Sequence, residues 1–260
     1  MNYHDRASLP GWTDGLLGLM YHAIEAPPLF HSLRGLYVEP ALLERQLREL
    51  YDSDARLMSL TAWAAERPPG GRQVVVTFDD AFLDLRQNAL RVLVKLGVSA
   101  TTYVVAGQIG GTNVWDADGP AQRCPLMDRA DLLAWQEAGQ EIGSHGMTHC
   151  HLTRVSPAQA RTEIFDSKKK LEDLAGRPVL HFCYPYGDCN AMVRDLVGEA
   201  GYATATTTEP GINHADIDPL LLKRFLASHR KPYRAALRGA LMRTVGLAPR
   251  RTDPDPAPAP

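Results

Sequence analysis

Residues 74–84 read VVVTFDDAFLD. Val74 to Phe78 are β-branched or aromatic and read as a buried strand. Two adjacent carboxylates, Asp79 and Asp80, close it. Neighbouring side chains of a strand point to opposite faces, so both acids reach one site only where the chain leaves the strand. Phe78 is then expected to close the core beneath them. Two like charges at the end of a buried strand cost free energy unless a cation sits with them. The plain alternative is one Asp capping the next helix and the other in water.

The same unit recurs along the chain. Further strands are read at 16–22, 99–105, 141–145, 179–184, 203–207 and 221–226. Apolar residues at helical spacing give helices over 39–52, 84–96, 129–138, 156–175 and 191–200. Gly97, Gly139, Gly176 and Gly201 stand at helix ends, and Ser156-Pro157 is an N-cap followed by Pro in the first turn. Strands alternating with helices give a mostly parallel sheet. About seven such units in one domain point to a closed or nearly closed barrel. The polar motifs then fall at the C-terminal strand ends, where barrel sites lie. Residues 107–125, rich in Gly, Asp and Pro, read as a long loop of the kind that is often functional.

Composition narrows the class. The chain has 260 residues, 45% apolar and 22% charged, as in an ordinary globular protein. A net charge of -2 argues against a general nucleic-acid binder. No run approaches the ~18 apolar residues of a membrane span. The N-terminus is polar and lacks a signal-peptide pattern, so a cytoplasmic location is expected. The four cysteines form no CxxC pair and are expected as free thiols. Residues 1–12 read as a lead-in, 13–230 as the barrel, 231–248 as a basic amphipathic helix and 249–260 as a Pro-rich tail unable to build a core. Tyr233, Leu237, Leu241 and Val245 form the apolar stripe of that helix. It either packs on the barrel or lies peripherally on anionic lipid.

A second cluster weighs against the plain reading of Asp79 and Asp80. GSHGMTHCHL places His145 and His149 four apart just past a strand end. On a helical turn they would share a face, a common way to hold a divalent ion such as zinc. With one Asp they would supply three ligands and leave an open position, the pattern of a catalytic site. His151, two residues on, is expected to point elsewhere. In a third cluster, HFCYPYGDCN, Pro185 and Gly187 force a turn that could aim the backbone N–H of Tyr186 at an oxyanion.

In order along the chain, TFDD, SHGMTH and FCYPYG resemble the polysaccharide deacetylase family, the NodB-homology or carbohydrate esterase family 4 domain. The resemblance runs from LMYHAI to LLKRFL. It implies an α/β fold, a distorted (β/α)7 barrel of the NodB-homology type. It also implies a hydrolase removing N-acetyl groups from an amino-sugar glycan with one divalent metal ion, zinc foremost, cobalt or nickel otherwise.

Carried over, Asp79 matches the catalytic base, and Asp80, His145 and His149 match the metal ligands. Tyr186 matches the oxyanion donor. The early MYH matches the branch whose general acid is His22, with His229 as the fallback. Trp115, Asp116, Tyr184, Pro185 and Arg224 are expected along the substrate groove. An N-acetylated saccharide, in a lipid- or nucleotide-linked precursor form, is the expected partner. A sugar deformylase, an O-acetyl esterase and a glycan-binding pseudoenzyme are the rival readings.

Three departures from the family pattern stand out: Ala81 for Gly, Gly146 for Ser or Thr, and Cys183 where many members carry an Arg beside the catalytic Asp. The last predicts a less depressed pKa for Asp79.

Overall fold

The computed structural model describes residues 12–27, 34–116 and 123–227. The sequence readings at His229, 231–248 and 249–260, part of the 107–125 loop and nearly all of the 1–12 lead-in lie outside these residues. Among them run β1 (Gly15–Tyr21), β2 (Arg56–Leu57), β3 (Arg72–Phe78), β4 (Ala100–Val104), β5 (Glu141–Ser144), β6 (His181–Cys183), β7 (Thr204–Thr206) and β8 (Arg224–Leu226). The helices are α1 (Pro40–Tyr51), α2 (Leu60–Glu66), α3 (Leu90–Leu96), α4 (Arg129–Glu137), α5 (Pro157–Ala175) and α6 (Ala191–Glu199).

The strands pair in the order β7-β6-β5-β4-β3-β1-β8, with β2 beside β3, and every pairing is parallel. A parallel bridge joins Thr206 to Leu222. Leu222 N–H donates to Ala205 O at 2.9 Å and Thr207 N–H to Leu222 O at 2.8 Å. The sheet thus nearly closes, as expected for about seven strand–helix units in one domain. Gly18 sits at one tight point, where a Cβ would lie 2.8 Å from the O of Lys223, the residue just before β8. Without a side chain there, β8 can lie against β1.

Strand alternation sorts the core into two layers. Val75 of β3 joins Leu16, Tyr103, Cys183 and Leu222 in one cluster that includes Leu60 and Trp63 of α2. Val74, Val76 and Phe78 belong to the larger cluster shared with the surrounding helices. Phe78 packs at 5.4 Å from Tyr21 and edge-on at 5.9 Å from Trp135 of α4. It therefore lies in the layer facing the helices and not under Asp79.

Three details depart from the sequence reading. α2 was not anticipated: its seven residues are too few to show a period, although Ser59 caps it by accepting from Ala62 N–H. The helix read over 84–96 divides into a π-helical segment, Leu85–Ala89, and α3. The strand read at 221–226 shortens to β8, preceded by a 3-10 turn, Pro219–Leu221.

Candidate active site

Asp79 and Asp80 do meet at one site, because the chain turns sharply after β3. Asp80 and Ala81 both take positive φ, 73° and 58°. Asp79 keeps its strand hydrogen bond, N–H to Tyr21 O at 2.9 Å. Both acids are buried.

Asp79 has a cation of its own. Arg224 Nη1 lies 2.7 Å from Asp79 Oδ1 and Nη2 lies 2.8 Å from Oδ2. The same guanidinium donates from Nη1 to Thr77 Oγ1, from Nη2 to Cys183 Sγ and from Nε to Thr207 O. All five guanidinium N–H donors are thereby used. Arg224 is 1% exposed, so the expected contact with substrate is corrected: it has neither surface nor a free donor to offer.

The expectation drawn from Cys183 is corrected with it. The guanidinium comes from β8 instead of position 183. Burial pushes Asp79 up, but the charge and hydrogen bonds of Arg224 outweigh it and hold the carboxyl well below the usual range.

Asp80, His145 and His149 form the second half of the site. Asp80 Oδ1 lies 3.7 Å from His145 Nε2 and 3.4 Å from His149 Nε2. Ligands at about 2.0–2.1 Å around a tetrahedral zinc stand about 3.3 Å apart, so these separations fit such an ion with little adjustment. Asp80 Oδ1 is buried and accepts no hydrogen bond among the described residues. Burial pushes this carboxyl up to about 7. His145 Nδ1 meets Cys183 O at 2.8 Å, which leaves Nε2 as the lone-pair nitrogen facing the cluster. The donor set therefore suits a divalent cation such as zinc.

The four-residue spacing does not work through a helical turn. Residues 145–150 form an irregular loop, with Gly146 at φ 77° and His149 at φ 63°. Two left-handed residues bring the imidazoles together at 4.7 Å, edge to face.

His22 follows β1, and its Nε2 stands 3.9 Å from Asp79 Oδ2. Burial pushes it down to about 4 against the opposing pull of Asp79. Tyr186 sits on the PYG turn at φ 60°, with its ring 4.5 Å from His149. His151 stacks on Tyr186 at 4.0 Å and pairs with Asp188, so it points away from the ligand cluster. Trp115 stacks on the His149 ring at 4.5 Å and 20°. Asp116 accepts from Asn113 Nδ2 at 2.8 Å, and its charge reaches Asp80.

Tyr184 and Pro185 do not line a groove. Both are buried, and Tyr184 Oη donates to Leu220 O at 2.9 Å. They shape the turn that carries Tyr186. The four cysteines are free.

Sequence reasoning missed Glu163, whose carboxylate accepts from the loop between the two imidazoles. The signal was available. Ala160, Glu163, Ile164, Ser167, Leu171 and Ala175 are the buried stripe of α5, and an acid on such a stripe needs a partner.

Fold and site together define a parallel α/β barrel with a buried acidic and imidazole centre at its C-terminal strand ends. A family model described as polysaccharide deacetylase matches residues 66–205, and the chain belongs to that family. Its members are hydrolases. The matched span contains Asp79, Asp80, His145, His149 and Tyr186, whereas His22, just after β1, and Arg224 of β8 lie outside it.

The Bacillus subtilis protein YxkH, named for the same family, is 27% identical over 214 residues, 81% of this chain and 70% of its own. A poly-beta-1,6-N-acetyl-D-glucosamine N-deacetylase of Staphylococcus aureus is 23% identical over 201 residues, 71% and 69% of the two chains. The crystal structure of a polysaccharide deacetylase from Bacillus cereus superposes with a TM-score of 0.71 at 26% identity, covering 88% of this chain and 69% of that one. Among the described residues no helix is long and apolar enough to cross a membrane.

Proposed function

We propose that this protein is a metal-dependent N-deacetylase acting on a glycan that carries N-acetylated amino sugars. The observation that carries the reading is the approach of Asp80 Oδ1, His145 Nε2 and His149 Nε2 at zinc-ligand spacing beside the Asp79–Arg224 pair. The Staphylococcus aureus relative, by its name, acts on poly-beta-1,6-N-acetyl-D-glucosamine, which makes oligomers of that sugar the first substrates to try.

Asp80, His145 and His149 would hold the ion. When bound, it would acidify a water and polarise the acetyl carbonyl. Asp79, kept as a carboxylate by Arg224, takes the water's proton as the water oxygen bonds to the acetyl carbon. A carboxyl held so low does not retain a proton, which suits relay to His22 Nε2, 3.9 Å from Asp79 Oδ2. His22 delivers the proton to the departing nitrogen as its bond to the acetyl carbon breaks. The products are acetate and a free amine. The N–H of Tyr186, on the turn beside His149, stabilises the negative charge that develops on the carbonyl oxygen. Trp115 and Asp116 offer an aromatic face and a carboxylate for a sugar ring and its hydroxyls.

The test is acetate release from β-1,6-linked N-acetylglucosamine oligomers, with an O-acetylated ester run in parallel. Chelation should abolish release and added zinc restore it. A general base contributes ~10²–10⁴-fold, so Asp79→Asn should lower kcat by that factor. Full turnover after chelation, or in Asp79→Asn, overturns the reading.

A further inference from the structure

We propose that Glu163 of α5 is a positioning residue that sets the geometry of the His145–His149 loop and through it the affinity for the metal ion. The proposal rests on the metal reading of Asp80, His145 and His149 given above. Glu163 is 5% exposed, although it is an acid on a helix. Its Oε2 accepts from Met147 N–H and Thr148 N–H, both at 2.8 Å, and its Oε1 accepts from Thr148 Oγ1 at 2.7 Å. All three donors lie between the two imidazoles in sequence. An irregular loop with two left-handed residues has no ladder of its own to satisfy these N–H groups, and the carboxylate supplies the acceptors that a helix or strand would have provided.

α5 grips the segment on both sides of His145. One turn along the helix from Glu163, Ser167 Oγ accepts from Ser144 Oγ at 2.8 Å, and Ser144 Oγ lies 3.3 Å from Gly146 N. Gly146 makes the approach of Glu163 feasible. It adopts φ 77°, and a Cβ there would stand 3.3 Å from Glu163 Oε2, closer than ordinary contact. The far side of the loop is held by Ala106 and Gly107, whose N–H groups donate to Gly146 O and Met147 O at 2.9 and 2.8 Å. The loop is thus clamped between the end of β4 and α5, and Glu163 provides the charged acceptor for its backbone N–H groups.

The bond pattern separates positioning from charge. In Glu163→Gln the amide oxygen can take the place of Oε2 and accept from both N–H groups, while the amide N–H₂ donates to Thr148 Oγ1. Glu163→Leu removes all three contacts at similar volume. Loss of a partner that orients metal ligands typically costs 10–100-fold in metal affinity.

The experiment is a competition titration of the metal-free full chain with zinc and a chromophoric chelator, with thermal melting of each metal-free variant alongside. Glu163→Leu should weaken zinc binding roughly 10–100-fold, Glu163→Gln should stay within about fivefold of wild type, and excess zinc should restore most of the kcat of Glu163→Leu. A zinc Kd for Glu163→Leu within about twofold of wild type overturns the proposal, as does a lowered metal-free melting temperature with no change in Kd. Should Glu163→Leu fail to fold, Thr148→Val, which removes one contact of the three, decides instead: a severalfold weaker Kd supports the proposal and an unchanged Kd overturns it. A wild-type chain that takes up no zinc, or takes it up equally after Asp80→Asn, rejects the metal reading itself and is distinguishable from every outcome above.

Discussion

Arg224 closes on both oxygens of Asp79, at 2.7 and 2.8 Å, from a strand 145 residues away in sequence. β8 and β3 both flank β1, so the pair spans the barrel interior across that strand. A bidentate guanidinium is a geometric device as well as a charge. Arg224→Lys keeps the charge and loses the fork, together with most of the contacts to Thr77, Cys183 and Thr207. kcat/KM should fall by ~10²-fold or more, in line with losing an effective base. The acid limb of its pH profile should move to higher pH, because the folded-state pKa of Asp79 rises when its depressing partner weakens. Arg224→Met should in addition cost about 3–5 kcal/mol of stability, the usual penalty for leaving one buried charge without its partner. Melting curves and the pH dependence of kcat/KM check both statements.

Trp115 separates substrate binding from metal positioning. Its ring stacks on His149, so it borders the site without contributing a titratable group. Trp115→Ala should raise KM on a glycan oligomer by about tenfold, equivalent to roughly 1.4 kcal/mol of binding, and leave kcat within a few-fold. A fall in kcat with KM unchanged would assign the ring to steadying His149 instead of the sugar. Steady-state kinetics on oligomers of two lengths distinguishes the outcomes, since a sugar-stacking ring acts more strongly on the longer substrate.

The strands and the two acid and imidazole motifs were legible because buried parallel strands read as continuous apolar runs and their polar ends stand out against them. Arg224 was legible as a residue and not as a partner. Its role depends on which strands share a neighbour, and that order is a property of the closed barrel, not of local pattern. The His145–His149 pair was found by spacing, yet the reason for the spacing was misjudged. Helical geometry was expected, whereas Gly146 and His149 reach the same result through positive φ. The deep burial of Tyr184 could not be read from a turn motif, since Pro and Gly fix the bend without saying which side faces water. The π-helical segment at Leu85–Ala89 has no sequence signature that periodicity could detect.

That segment supports a pH prediction. Asp84 Oδ1 accepts from Ile24 N–H and Asn88 Nδ2 donates to Ile24 O, each at 2.8 Å, so the pair clamps the chain two residues beyond His22. Burial pushes Asp84 up to about 7, the Ile24 N–H opposes this and Glu25 adds to it. A carboxyl whose folded-state pKa lies above its unfolded value, about 3.9, binds its proton more tightly when folded. It therefore costs nothing below about pH 4, costs progressively more up to about 7, and its full penalty persists above that. Asp84→Asn keeps the acceptor oxygen and removes the charge. Wild type and variant should melt together near pH 4. At pH 8 the variant should be more stable by ~2 kcal/mol, allowing for the side chain's partial exposure, or roughly 4–8 °C in Tm. A variant that melts lower than wild type at pH 8 would show that the charged form of Asp84 is the stabilising one.

Gly107 offers a test of the ligand loop from the side opposite α5. Its φ is ordinary, but a Cβ at this position would run into the backbone oxygen of Met147, which cannot step aside without moving the loop. The close approach is held by the 2.8 Å hydrogen bond from Gly107 N–H to Met147 O. Gly107→Ala should displace Met147 and with it the imidazoles of His145 and His149. A displacement of about 1 Å in a catalytic constellation can cost ~10²-fold in rate, and misaligned ligands should weaken zinc binding about tenfold or more. Gly35→Ala is the control, because a Cβ there meets nothing within 4 Å. Zinc titration and acetate release on the two variants check the expectation. If Gly107→Ala binds zinc and turns over like Gly35→Ala, the loop tolerates movement and its clamp from the β4 side contributes nothing to the site.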